Sequence, residues 1–546
     1  MLILASPLII LVAILLIGVH LPHERLGALL RLPSHRYAPV VVGLATGLVV
    51  WYVWGSLNAV APVHDEASYL LQARTFASFH WAMPSPALPE FFEQYHTFVT
   101  PAYASKYPPG HGILLVPGIW LSLPGLMPIA LSAIAGALLF LLVRRVANAW
   151  VAVLTVCLWL PTISNLRFRS SYMSETTTSV LWLLGWWALL EWRVARSSRW
   201  LIVVASCVAW MAITRPLTAV AFAIPISIVV MADLAKRRDW RALVRPALVA
   251  AAILFILPIF NWRTLGDWRK STYETYAKMY IPFDHPGFGT SVATPERSLP
   301  PDMQEFSKQF VAVHATHTQD KLPTIFKNRW QAIFDDAFRG WRLPLSLLAL
   351  VGLAVLGAEG WFAAASAVVL TLLYLAYAHP ALWTIYYLEI FPLLPFLTAL
   401  GIWTIASTLA TPKLRLGPKL AREWGPRQAL GTALVALVLL WPLSHEVRYA
   451  RRLEATIQSY HLDFRQRTAE IPDKRAIVFV RYAPWHNVHT SLIANEPDLA
   501  DARLWVVYDR GAENAKLAAL APDRAAYLYD EGTRALLPIR RTVAGR

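Results

Sequence analysis

Apolar runs close to the length of a bilayer crossing recur along most of this 546-residue chain, and that recurrence limits the fold more than any single motif does. Backbone polar groups find no water in hydrocarbon, so such runs fold as helices that satisfy their own hydrogen bonds. Composition agrees: 56% of the residues are hydrophobic and 24 are Trp, outside the range of a water-soluble domain of this size. We expect a polytopic α-helical membrane protein of about twelve spans, near 1–19, 39–57, 126–143, 149–164, 177–191, 201–214, 217–232, 243–260, 344–357, 361–377, 385–407 and 429–445. Several fall short of the ~20 residues of a perpendicular crossing and are expected to be tilted or half-inserted. The apolar segment 112–123 is flanked by prolines and is expected along the membrane surface. The run 2–19 has neither a basic start nor a clear small-residue cleavage site, so it is expected to be a retained span rather than a signal peptide.

Charge placement sets the topology. The chain carries a net charge of +16, and its basic residues crowd connections on one side: Arg25, Arg31 and Arg36; Arg144 and Arg145; Arg193, Arg196 and Arg199; Lys236, Arg237, Arg238 and Arg241; Lys413, Arg415, Lys419, Arg422 and Arg427. The opposite loops 64–125, 165–176 and 214–216 hold only Arg74, Lys106, Arg167, Arg169 and Arg215. The basic side is expected to be cytoplasmic. The loops 64–125 and 261–343, the Glu175 loop and the C-terminal segment then face outward. This pattern accounts for the net charge. No basic stripe interleaved with aromatics stands in a soluble segment, so nucleic acid is excluded as a partner. The two cysteines, Cys157 and Cys207, lie in apolar runs, which removes a disulfide framework or a cysteine metal site.

Composition divides the chain into a membrane unit, 1–445, and a small extracytoplasmic α/β domain, 446–546. Within the latter, runs of β-branched and aromatic residues at 476–482, 504–508 and 524–529 predict strands, with a helix over 513–520. It carries no Gly-rich phosphate loop.

The residues suited to chemistry fall on the outward side. Asp65 and Glu66 stand in HDEASYLLQAR, directly after the span at 39–57. Acids favour the first turn of a helix for electrostatic reasons alone. Their position at a bilayer surface, with a second acid and a lysine on the same side, favours a functional role. Lys106 stands in SKYPPGHG, where Pro108 and Pro109 stiffen the approach to the next helix and would aim the ammonium at one place. The plain alternative is a lysine reaching toward lipid headgroups. Glu175 is either a helix-start charge behind Ser174 or a second site carboxylate, with Arg167 and Arg169 near enough in sequence to pair with it or with a phosphate. Arg215, beside Pro216, splits an apolar stretch; an arginine at that depth needs an anionic partner. Glu389 lies in the apolar run behind Tyr386 and Tyr387. Tyr273, Tyr276, Tyr280, Phe283 and Phe288 cluster in 261–343 and would cover a cavity or pack the loop. His64, His96, His111, His285, His314 and His317 face outward without a metal-ligand spacing. A carboxylate can take a proton from an acceptor, and a cation can hold a departing phosphate.

At these residues the chain resembles the GT-C glycosyltransferase superfamily, and within it the branch of protein O-mannosyltransferases and the aminoarabinose–lipid A transferase. The matching features are Asp65-Glu66 followed by Tyr69, the Lys106-Tyr107-Pro108-Pro109 element against the family's Lys-Pro-Pro, and Ser174-Glu175 against its second acidic motif. A Tyr separates Lys106 from the prolines, and Glu stands where the family often has Asp. The resemblance implies an integral membrane enzyme that passes a sugar from a polyprenyl-phosphate carrier to a lipid, glycan or protein acceptor on the outer face, with inversion of the anomeric carbon. It implies Asp65, with Glu66 and Glu175, as the acidic residues of catalysis. It implies Lys106 at the donor phosphate, where Arg215 and Arg169 are further candidates. The lipid-phosphate-linked sugar is the donor substrate; two carboxylates are compatible with a divalent metal, but no metal ligand set is assigned. Richness in Ala, Arg and Trp with Pro-rich loops suits a GC-rich bacterium, so the expected location is an inner membrane, with the site facing the periplasm. The competing reading is a transporter or flippase for lipid-linked sugars, against which the absence of an internal repeat stands.

Overall fold

The computed structural model describes residues 2–290, 293–411 and 417–539. Lys413 and Arg415 of the basic set lie outside the described residues. Apolar helices recur along the chain, which is an integral membrane protein. Among the described residues, Leu126–Val146, Pro216–Arg237, Trp240–Leu265, Leu393–Ala410 and Pro426–Ala469 are each long and apolar enough to cross a membrane. Three sharply bent pairs raise that number to eight if each is one span; in one of them Ala149–Trp159 meets Ile163–Arg169 at 81°. Ala38–Trp54, Ser198–Ala212 and Ala358–Tyr374 are shorter apolar helices.

In a membrane interior, close backbone approach replaces the hydrophobic drive, and small residues permit it. Gly352 on the helix Leu345–Ala354 and Gly401 on Leu393–Ala410 face one another this way. A Cβ on Gly352 would run into the Leu397 carbonyl, and one on Gly401 into that of Leu348. Either Gly→Ala change therefore forces the two helices apart.

Both long loops that the charge pattern places outside, 64–125 and 261–343, are folded, and they are called the first and second outer loops. The first consists of the helix His64–Ala77, a small antiparallel sheet of Met83–Pro84, Ala102–Ser105 and Thr97–Phe98, and the helix Gly110–Trp120. The second carries the helices Thr272–Tyr280, Pro301–Ala315 and Leu322–Phe338. They are tied together by polar pairs: the Arg297 guanidinium to the Glu93 carboxylate, and the Tyr280 hydroxyl to Glu93 Oε2 at 2.8 Å.

Toward the C-terminus lies a four-stranded sheet in the order Leu504–Tyr508, Ala476–Arg481, Ala525–Asp530, Ala535–Pro538. The first three strands are parallel and the last is antiparallel. Three of them and the helix Asn514–Leu520 lie where the sequence put them; the edge strand Ala535–Pro538 follows a tight turn that carried no alternating pattern. The sheet is not free-standing. Phe91 and Phe92 of the first outer loop meet Phe479 and Trp505 edge-on. The helix Pro426–Ala469 runs unbroken from the membrane segment to the sheet, through residue 445, where composition shifts.

Candidate active site

The helix His64–Ala77 has its start after an extended Val63, with Asp65 and Glu66 in the first turn. Consecutive residues of a helix point about 100° apart, so the two acids diverge. Asp65 turns toward the outer loops. Its carboxylate faces His64 Nδ1 at 2.9 Å and His96 Nε2 at 3.5 Å, and it accepts a hydrogen bond from the Tyr107 hydroxyl. Burial pushes the Asp65 carboxyl up, but His96, His64 and the Tyr107 hydroxyl outweigh it and hold the group well below the usual carboxylate range.

Glu66 turns inward. Its carboxylate accepts the Tyr172 backbone N–H at 2.9 Å, and burial pushes its carboxyl up to about 8. It ties two segments together and does not join the Asp65 group.

Lys106 is brought to the same place by the small sheet and a strained turn. His96 adopts a left-handed backbone (φ 57°), a conformation that short polar residues tolerate better than most. Its carbonyl accepts from the Lys106 N–H at 2.9 Å and from Ser68 Oγ at 2.8 Å, which fixes Lys106 against the helix that carries Asp65. The Lys106 side chain is buried. Its ammonium lies 3.8 Å from Asp284 and over the rings of Tyr273 (4.4 Å), Tyr276 (4.9 Å) and Tyr107 (5.4 Å). Burial lowers its pKa, opposed by Asp284 and Asp65. Pro109 caps the helix Gly110–Trp120, whose first residue must be glycine: a Cβ there would meet Thr214 Oγ1 and, at 2.8 Å, the Ile213 carbonyl.

Glu175 and Arg215 complete the group. The Arg215 guanidinium pairs with the Glu175 carboxylate and donates to the Tyr374 hydroxyl at 2.9 Å. Two stacked rings connect this pair to Asp65. Tyr69 lies on Tyr107 with 4.3 Å between ring centroids, and its hydroxyl donates to Ser174 Oγ at 2.9 Å. On the other side Arg215 lies over the Tyr386 ring at 5.2 Å. Tyr386 packs on Tyr377 at 5.6 Å, and the Tyr377 hydroxyl donates to Asp284 at 3.4 Å. The contacts close into a ring through Tyr107, Tyr69, Ser174, Glu175, Arg215, Tyr386, Tyr377, Asp284 and Lys106, and Asp65 is attached to it at Tyr107.

The structure thus brings Asp65, Lys106, Glu175 and Arg215 together and leaves Glu66 and Arg169 out. Arg169 is fully buried elsewhere, over the Trp159 ring at 4.5 Å and donating to Asn165 Oδ1 (2.9 Å) and Ser179 Oγ (3.1 Å). Its place in sequence next to the Glu175 loop is misleading because the bend after Trp159 turns it into the helix bundle. Glu389 receives the Thr178 hydroxyl, one helical turn below Glu175. Sequence reasoning missed Asp284 and the histidines as partners. Asp284 is the acid embedded among the aromatics of the second outer loop, and His64 is next to Asp65 in the chain, so both carried a signal.

No family model matches this chain, and no curated protein matches it. Solved structures do. The chain is similar to ArnT from Cupriavidus metallidurans bound to undecaprenyl phosphate: 14% identity, TM-score 0.51, over 94% of this chain and 100% of that one. The apo state of the same protein gives 14% identity and 0.48, over 93% and 99%. The Archaeoglobus fulgidus oligosaccharyltransferase in its apo form gives 11% and 0.37, over 91% and 70%. The first of these shows a shared fold: the chain folds as ArnT does over most of its length.

Proposed function

We propose that this protein is a membrane glycosyltransferase that moves a sugar from a polyprenyl-phosphate donor to an acceptor on the outer face of the membrane. The observation that carries the reading is the placement of an ionised carboxylate, Asp65, and a buried ammonium, Lys106, on either side of Tyr107. The carboxylate suits the removal of a proton from an attacking acceptor. The ammonium suits a phosphate that leaves with the electron pair of the broken glycosidic bond, which needs charge stabilisation and no general acid. Arg215 supplies a second cation, positioned by Glu175. Attack from the face opposite the phosphate would invert the anomeric carbon. The ArnT structure of the same fold is one with undecaprenyl phosphate bound, which supports a lipid-phosphate donor here. The Ala, Arg and Trp richness suits a GC-rich bacterium and an inner-membrane location with the site toward the periplasm.

The test is transfer of a labelled sugar from polyprenyl-phosphate carriers by the purified full-length protein in lipid. The wild type is expected to release polyprenyl phosphate, and Asp65→Asn to lose release by at least ~100-fold while inserting and folding normally. Full activity of Asp65→Asn would remove Asp65 from the chemistry. Movement of the intact glycolipid across the bilayer without release would establish a flippase instead.

A further inference from the structure

The helix His64–Ala77 ends on an unusual residue. It closes with two hydrogen bonds, from His80 N–H to the Thr75 carbonyl at 3.1 Å and from Phe79 N–H to that of Phe76 at 2.9 Å. The residue at the bend of such a turn is left-handed and is usually glycine. Here it is Phe79, at φ 62° and 85% exposed. A bulky residue is strained in that conformation, and an apolar ring left in water adds a second cost. The second cost vanishes where the ring faces lipid.

Phe79 borders a cavity of about 320 Å³ that is also lined by His80, Trp81, Ala82, Trp262 and Arg263. Its walls are held in place. Trp81 packs on Phe76 and Phe260, with ring centroids 5.3 and 6.3 Å apart. The Trp120 indole donates to the Ala77 carbonyl at 2.9 Å and lies 5.9 Å from the Phe79 ring. The cavity sits at the bilayer border. Trp262 and Arg263 stand in the last turn of the span Trp240–Leu265, of whose apolar stretch only 11% is buried in the protein, so this helix faces lipid. Trp120, Trp262 and Trp268 present exposed indoles, the side chain that settles at headgroup depth.

Charge makes the cavity more than part of an aromatic belt. None of its lining residues is an acid. Among the described residues no carboxylate pairs with Arg263 and no polar atom accepts from its guanidinium; its contact is the Trp262 ring at 5.8 Å. The nearest acid in sequence, Asp267, is taken by Arg269 at 3.4 Å. An arginine fork among aromatic rings, at a membrane surface and without a counter-ion, suits a phosphodiester. The volume holds a headgroup and not a whole lipid. Asp65 stands at the other end of the helix His64–Ala77, roughly 20 Å away, so this is not the group that faces the donor.

We propose that this cavity binds the headgroup of an acidic phospholipid of the surrounding bilayer. Arg263 holds the phosphate, and Phe79, Trp81 and Trp262 lie against the glycerol and the upper acyl chains. A lipid there clamps the turn between the helix that carries Asp65 and the strand Met83–Pro84, which pairs with Ala102–Ser105 just before Lys106. This site stands independently of the transferase reading, because lipid binding is measured without a sugar donor.

The full-length protein, purified in detergent, is mixed with phosphatidylglycerol or with phosphatidylcholine of the same acyl chains, and retained lipid is counted by native mass spectrometry. The wild type is expected to bind phosphatidylglycerol at least ~10-fold more tightly, and Arg263→Gln to lose that preference. Phe79→Gly is expected to weaken phosphatidylglycerol retention while its unfolding temperature in lipid-free detergent holds or rises, because glycine relieves the left-handed turn. Should Arg263→Gln fail to fold, a photoactivatable phosphatidylglycerol on the wild type decides: cross-links at 79–82 and 262–263 support the site, and cross-links confined to other segments overturn it. Equal retention of the two lipids by the wild type, a folded Arg263→Gln that keeps the preference, or a Phe79→Gly that retains the lipid in full overturns the proposal equally.

Discussion

Tyr107 donates its hydroxyl to Asp65 while its immediate neighbour Lys106 directs its ammonium at Asp284. Two adjacent residues thus serve two carboxylates, one from each outer loop. Tyr107→Phe removes only the hydroxyl. A hydrogen bond to a charged group is worth roughly 1.5–3 kcal/mol, so the turnover rate is expected to fall about 10- to 100-fold. The donor KM should hardly move, because Lys106 is untouched. Steady-state kinetics with varied donor check this split.

Asp284 is the counter-charge that keeps a buried lysine protonated. Burial lowers the Lys106 pKa and Asp284 raises it, so Asp284→Asn is expected to lower it further. On the proposed role of Lys106 at the donor phosphate, activity is expected to be lost at a lower pH in the variant than in the wild type. Donor binding measured across pH 6 to about 10 tests the direction; an unshifted alkaline limb would separate Lys106 from the donor.

The Glu175–Arg215 pair is closed off from solvent, Glu175 almost completely. Breaking such a pair from one side strands the other charge, at a cost of about 3–5 kcal/mol. Arg215→Ala should lower the unfolding temperature markedly, and adding Glu175→Gln should restore much of it. Recovery of stability without recovery of transfer is the expected outcome of the double variant.

Asp302 joins the second outer loop to the C-terminal sheet by accepting the Tyr508 hydroxyl at 2.9 Å. Burial raises its carboxyl above the ordinary value, against the opposing effects of Tyr508 and His486. The folded state therefore holds this proton more tightly than the unfolded chain. Its contribution is complete below the unfolded pKa of about 3.9 and is lost as pH rises through the folded value. Asp302→Asn should remove that loss, so the variant's advantage in unfolding temperature over the wild type should grow from pH 4 to about 8. A constant difference across that range would exclude Asp302 as the group responsible.

The membrane helices and three C-terminal strands could be read from sequence because long apolar runs and alternating β-branched runs are local patterns. Asp65, Lys106, Glu175 and Arg215 were legible for a related reason: charges beside apolar spans stand out. What brings them together was not, because it is made by pairs distant in the chain. Tyr69 and Tyr107 stack across the first loop, Tyr377 reaches Asp284, and the left-handed turn at His96 sets the register of Lys106. Glu66 and Arg169 stand apart from the others for reasons the sequence does not show. Each sits next to a site residue in sequence, yet helix geometry sends Glu66 to the Tyr172 backbone, and a sharp bend sends Arg169 into the bundle.

The unbroken helix Pro426–Ala469 has a mechanical consequence. Its 44 residues span about 66 Å, roughly twice the hydrocarbon thickness of a bilayer. It is fastened along its length, with Arg451 on the Tyr52 carbonyl and Gln458 Nε2 on that of Trp54 at 3.3 Å. The sheet it carries is therefore mounted on a rigid mast rather than tethered by a string. One residue inserted between 446 and 450 would swing everything above it by about 100° and lift it by about 1.5 Å. His489, whose ring lies 5.7 Å from that of His64, would leave its side without any change to the chemistry of either residue.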